Sequence, residues 1–134
     1  LDGVRIDGDR FVFSSEVLFG TGDATLSARG EQEIGKVAGL LRQIADNIPD
    51  NIDWIIRVDG HTDNVPLSGT GIFADNWELS QARALSVVKY MEKLGIAPNR
   101  MSANGFGEFQ PLNSANTSEA LAQNRRIELK LTER

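Results

Sequence analysis

Residues Trp54–Ala84 read WIIRVDGHTDNVPLSGTGIFADNWELSQARA, and this stretch decides the fold. Trp54, Ile56 and Val58 alternate with other residues, so they share one face of a strand, which Gly60 is expected to end. A Gly- and Ser-rich loop, Asn64 to Asp75, follows; it is longer than an ordinary connection and therefore points to function. Asp75-Asn76-Trp77-Glu78 then has the form of a capping box, with Asp75 capping a helix and Glu78 reaching back. Ala84, Val87, Val88, Met91 and Leu94 form that helix's apolar stripe; Gly95 stops it, with Pro98 just beyond. Met101 to Gly105 is a short strand. A strand, a crossover helix and a strand make a unit whose two strands run parallel.

Upstream, Ile34, Val37, Ala38, Leu41, Ile44, Ala45 and Ile48 recur at helical spacing. Ser27 is the expected N-cap, Glu31 and Glu33 suit the positive end of the helix dipole, and Pro49 is the expected stop. Before that helix, Val4 and Ile6, a turn at Asp7-Gly8-Asp9, then Phe11 and Phe13 predict a hairpin or two short strands continuing toward Val17-Leu18-Phe19. Gly20-Thr21-Gly22-Asp23 breaks that pattern.

Downstream, Asn116 to Asn124 predicts a short helix with Asn116 as its cap, and Gly105-Phe106-Gly107-Glu108 reads as a turn. A last strand follows, from Arg125 to Thr132. Ile127, Leu129 and Leu131 face one way while Arg126, Glu128, Lys130 and Thr132 face the other, which predicts one buried and one wet face. The expected fold is α+β: one domain over 1–134, a two-layer α/β sandwich in which helices cover one face of a mixed four-stranded sheet. Residues 1–16 add an N-terminal strand or hairpin.

With 134 residues, 40% hydrophobic and 25% charged, the chain can bury a real core. A net charge of −5 argues against a nucleic-acid partner. Without cysteine there are no disulfides, thiolate metal sites or cysteine nucleophiles. The chain opens on Leu1 and not on methionine, so it reads as a fragment or a processed chain.

His61 is the only histidine. As a metal ligand it lacks a second histidine, and as a catalytic base it lacks a nucleophile on a G-x-S-x-G elbow, so structural hydrogen bonding is its expected role. No metal or cofactor is called for. Asp63 lies past the C-terminal end of a strand, where ligands bind in sheets with parallel strands, yet it also suits an Asx turn or a cap. Arg83, two turns into its helix and off the apolar stripe, reads either as a solvated side chain or as a ligand contact. Of the neighbours Arg125 and Arg126, one must point inward and needs an anionic partner, internal or bound.

Four pieces in this order and rough spacing resemble the OmpA/MotB C-terminal domain family. They are Gly60-His61-Thr62-Asp63; Asn76-Trp77-Glu78-Leu79-Ser80-Gln81-Ala82-Arg83-Ala84; Gly105-Phe106-Gly107-Glu108 with Pro111; and Asn124-Arg125-Arg126-Ile127-Glu128. The resemblance runs from about Val17 to the end, and the Asn-Trp-Glu-Leu-Ser form is most similar to the MotB-like branch. It implies an OmpA-like, non-catalytic module that binds peptidoglycan through the diaminopimelate of the stem peptide. The matching positions are Asp63 and Arg83, supported by Asn76, Arg125 and the backbone at Val65, with Leu79 shaping the wall. It further implies a periplasmic domain of a Gram-negative bacterium, held at the inner or outer membrane by a segment outside this chain; a homodimer stays open. The family usually has Glu-Gly-Arg where this chain has Glu119-Ala120-Leu121. That departure motivates an alternative, a dimerisation or docking module with a degenerate pocket. His61, Asp63 and Glu108 motivate another, a cell-wall hydrolase.

Overall fold

The computed structural model describes residues 4–7 and 9–134. Its elements are β1 (Val4–Asp7), β2 (Arg10–Ser14), α1 (Ser15–Leu18), α2 (Ala28–Ala45), β3 (Trp54–His61), α3 (Asn76–Lys93), β4 (Met101–Gly105), α4 (Ser118–Asn124) and β5 (Arg126–Glu133). The strands form one open sheet in the order β1-β2-β5-β3-β4. Only β3 and β4 are parallel, as their crossover helix α3 requires; the other pairs are antiparallel. The two-layer α+β reading therefore stands. The sheet has five strands where four were expected, because the N-terminal hairpin joins it through β2 and β5. Gly8, in the turn expected at Asp7-Gly8-Asp9, lies outside the described residues.

One face of the sheet makes the core. Phe13, Ile127, Leu129, Val58 and Ile56 pack against Ile34, Val37, Ala38 and Leu41 of α2 and Ala84, Val87 and Met91 of α3, all buried. Ser27 caps α2, its Oγ accepting the Gly30 N–H at 2.9 Å. Asp75 caps α3 by accepting the Glu78 N–H at 2.9 Å. Glu78 reaches one residue further back than a strict capping box and accepts the Ala74 N–H at 3.1 Å. Each cap contributes about 1 kcal/mol.

Several local expectations change. Val17-Leu18-Phe19 does not extend a strand; residues 15–18 wind into one helical turn, and Phe19 makes only an isolated bridge to Leu26. Thr117 caps α4 in place of Asn116, its Oγ1 accepting the Ala120 N–H at 3.2 Å. α2 ends at Ala45, short of Pro49, and Ile44 is exposed. Gly60 does not end β3, for it pairs on both sides, with Ile127 and with Gly105. It is glycine because α3 lies directly on it: a β-carbon there would stand 2.2 Å from the Ser80 carbonyl oxygen. Gly105 meets the same helix, where a β-carbon would stand 2.7 Å from the Gln81 nitrogen.

The second face is not wet where β5 begins. Asp59, His61, Arg126 and Glu128 are all buried there. The Arg126 guanidinium donates to Glu128 at 2.6 Å and to the Gln110 carbonyl at 2.9 Å. The connection after β4 thus folds over this end of the sheet, and alternation in β5 could not reveal that cover.

Candidate functional site

Asp63 sits two residues past the C-terminal end of β3. Its Oδ1 accepts the Val65 N–H at 3.0 Å, an Asx turn that aims the carboxylate. Its Oδ2 accepts the Arg125 Nη1 at 2.7 Å. Arg125 is held from the other side by Glu16 of α1, to which its Nε donates at 2.9 Å and its Nη2 also donates. Burial works against the Arg125 charge, but the hydrogen bonds to Asp63 and Glu16 outweigh it and raise its pKa.

Arg83 is not solvated: it is 5% exposed. Its Nε donates to the Asp23 carbonyl at 2.8 Å and its Nη2 to the Gly20 carbonyl at 3.2 Å, while the guanidinium lies 5.1 Å from the centre of the Phe19 ring. It makes no ion pair among the described residues. Burial lowers its pKa, against the attraction of the nearby Asp23 charge; Arg125 adds repulsion and Asp63 a smaller attraction. An uncompensated buried cation is costly unless something else supplies the anion.

Asp63, Arg83, Arg125 and Glu16 line one cavity of about 250 Å³, floored by Phe19 and the Gly20-Thr21-Gly22 turn. The lining thus holds two carboxylates and two guanidinium groups. Ser15 also lines it, but among the described residues its buried Oγ has no hydrogen-bond partner and therefore no base to activate it. The arrangement can clasp a charged group.

The other expected site residues stand behind this cavity. Buried Asn76 donates from Nδ2 to the carbonyls of Asp63 at 3.3 Å and Val65 at 3.2 Å, so it fastens the loop that carries the carboxylate. Leu79 is buried, whereas the Val65 side chain is half exposed, and none of the three lines the cavity. Nor do Ala120 and Leu121. Glu16 and Phe19 were missed. The only trace of that wall in the sequence was the break in pattern at Gly20-Thr21-Gly22-Asp23.

His61, Asp63 and Glu108 do not converge; each lines a different cavity. His61 lies on the second face, stacked on Phe106 with ring centres 5.0 Å apart. The structural hydrogen bonds expected of it are not made among the described residues: Nδ1 has no partner there, and Nε2 is 4.0 Å from Glu128. Stacking and burial hold the ring instead. Asp59, His61 and Glu128 could bring ligand atoms within 4.8 Å of one another. Both carboxylates are already engaged, however, Asp59 by Arg57 at 2.9 Å and Glu128 by Arg126 and Arg10 at 2.6 Å each. Three guanidinium groups oppose a bound cation there, and the cluster is an ion-pair network.

This network has a pH signature. Burial, reinforced by the charge of Arg126, lowers the His61 pKa from 6.5 to about 4. Between those values the unfolded chain holds a proton that the folded domain does not. Stability is therefore complete above pH 6.5 and falls as pH drops toward 4, by on the order of 2–3 kcal/mol. Urea unfolding at pH 7 and pH 4.5 should register the loss. His61→Phe, which keeps the stack on Phe106, should lose markedly less over the same interval.

An open mixed sheet, helices on one face and a charge-lined cleft beyond the parallel strand ends define a binding domain. The sequence profile of the OmpA family matches residues 18–125, and the chain belongs to that family. Outer membrane protein A of Bordetella avium is 35% identical over 122 residues, covering 91% of this chain and 57% of that protein. The chain spans about half the length of the curated relatives it matches. Among solved structures, a MotB-like protein from Desulfovibrio vulgaris superposes with a TM-score of 0.83 at 32% identity, covering 98% of this chain and 81% of that one. The cell wall anchor of the T6SS from Pseudomonas aeruginosa gives a TM-score of 0.79 at 27% identity, covering 98% and 87%. No helix among the described residues is long and apolar enough to cross a membrane.

Proposed function

We propose that this domain grips the diaminopimelate residue of the peptidoglycan stem peptide, without catalysing a reaction, and so ties a membrane-associated protein to the cell wall from the periplasmic side. The observation that carries this reading is Arg83, a buried guanidinium with no carboxylate partner among the described residues, sharing a cavity with Asp63. The free end of diaminopimelate carries an ammonium and a carboxylate. The carboxylate suits the unpaired donors of Arg83, and the ammonium suits Asp63. Likeness to a cell wall anchor supports the same class of partner.

Each charge-assisted hydrogen bond contributes roughly 1.5–3 kcal/mol net. A few of them, less the cost of immobilisation, give a modest affinity for one site. Firm attachment then comes from several copies engaging one polymer. Membrane attachment belongs to a segment outside this chain.

Co-sedimentation with purified sacculi tests the reading. Asp63→Asn keeps the Asx turn, because asparagine makes the same contact to Val65, but it removes the charge. The variant should stay in the supernatant at protein concentrations where the wild type pellets. Equal pelleting of the two would count against diaminopimelate recognition.

A further inference from the structure

We infer that Glu16 is a specificity-determining residue of this cavity, setting its charge so that it selects a ligand end carrying both an ammonium and a carboxylate. The inference rests on the proposed function, and it concerns a residue upstream of the 18–125 span that matches the family. With Glu16 the lining holds Asp63 and Glu16 against Arg83 and Arg125, so it is neutral. Without Glu16 it carries a surplus positive charge and favours a plain anion.

The geometry gives Glu16 a second effect. Arg125 spans the space between two carboxylates, its Nη1 on Asp63 at 2.7 Å and its Nε on Glu16 at 2.9 Å. Glu16 thus shares the charge of that guanidinium with Asp63. If Glu16 is neutral, Arg125 is left to Asp63 alone and cancels the one anion that an incoming ammonium needs. The holder is itself well placed. α1 is tied to the residue whose side chain it grips, for the Ser15 N–H donates to the Arg125 carbonyl at 3.0 Å. The turn is closed by the Phe19 N–H on the Ser15 carbonyl at 2.8 Å and pinned to the entry of α2 by the Ser27 N–H on the Leu18 carbonyl at 2.8 Å. The Glu16 side chain is 58% exposed, so it stands at the mouth where a ligand passes.

The test uses three stem-type peptides that differ at one residue: diaminopimelate, lysine (no second carboxylate) and aminopimelate (no second ammonium). Calorimetry should show wild type preferring diaminopimelate over both others. In Glu16→Gln the preference for diaminopimelate over aminopimelate should shrink by about tenfold, the scale expected for one charge at a partly solvated distance. Glu16→Asp should restore part of it. Denaturation midpoints should match, since an exposed ion pair contributes little to stability, so a merely structural role would not move the ratio between ligands. An unchanged ratio in Glu16→Gln, with the wild-type preference intact, overturns the inference and leaves diaminopimelate binding standing. A wild type that binds none of the peptides removes the proposed function and this inference with it.

Discussion

Arg83→Met is expected to leave a folded domain that binds a diaminopimelate peptide at least about 100-fold more weakly than wild type, the equivalent of losing two charge-assisted hydrogen bonds. Methionine fills similar space with a flexible apolar chain and can keep the contact with Phe19. The bonds lost inside the protein run to the carbonyls of Gly20 and Asp23, both exposed residues that water can serve. Deleting a buried charge that has no ion-pair partner among the described residues also removes a desolvation cost. Stability should therefore change by no more than about 1 kcal/mol. Arg83→Lys should fall between the two, because it keeps the charge and loses the planar fork. Calorimetry beside urea unfolding reads both quantities. A methionine variant that binds like wild type would mean that the cavity does not use its buried guanidinium, and the proposed function would fall.

Gly60→Ala should have the largest effect on the fold. Its β-carbon would stand 2.2 Å from the Ser80 carbonyl oxygen and 2.9 Å from the Ser80 carbonyl carbon. These are backbone atoms of α3, so no side chain can turn aside; the helix or the sheet must move. Overpacking costs 1–3 kcal/mol and sometimes more, and a backbone collision belongs at the upper end, about 3 kcal/mol. Ser80 is also the residue whose Oγ accepts the Gly107 N–H at 3.0 Å, so a displaced helix releases the turn after β4. Arg83 lies one turn further along the same helix, so whatever remains folded should bind the peptide poorly. Gly39→Ala is the contrast. It lies on the exposed side of α2 with nothing within 4 Å of the added carbon, and it should stabilise by up to about 1 kcal/mol through helix propensity. Thermal unfolding of the pair should move the midpoint in opposite directions. A Gly60→Ala midpoint equal to wild type would show that α3 does not rest on β3 as described.

The two variants also separate what was readable in the chain from what was not. Helices and strands were readable because their signals are local. The stripe of α2, the Asp75 cap of α3 and the Gly95 stop each depend on residues within a turn or two. The parallel pairing of β3 and β4 followed from a crossover helix between them. The reason for Gly60 did not, since it depends on a helix that arrives twenty residues later in the chain. The same holds for the second face of β5. Alternation gives direction but not cover, and Arg126 and Glu128 are buried by a loop whose path no periodicity encodes.

By itself the sequence determined the α+β architecture, the family, and the candidates Asp63, Arg83 and Arg125, because residue type and spacing carry that much. Only the tertiary structure decided that Arg83 is buried without an ion pair among the described residues, that Glu16 lines the same cavity, and that His61 and Asp63 face different cavities. A guanidinium on a helix becomes a solvated surface group or an anion receptor according to what packs around it. Here α1 and the turn after it do that packing, from more than sixty positions away.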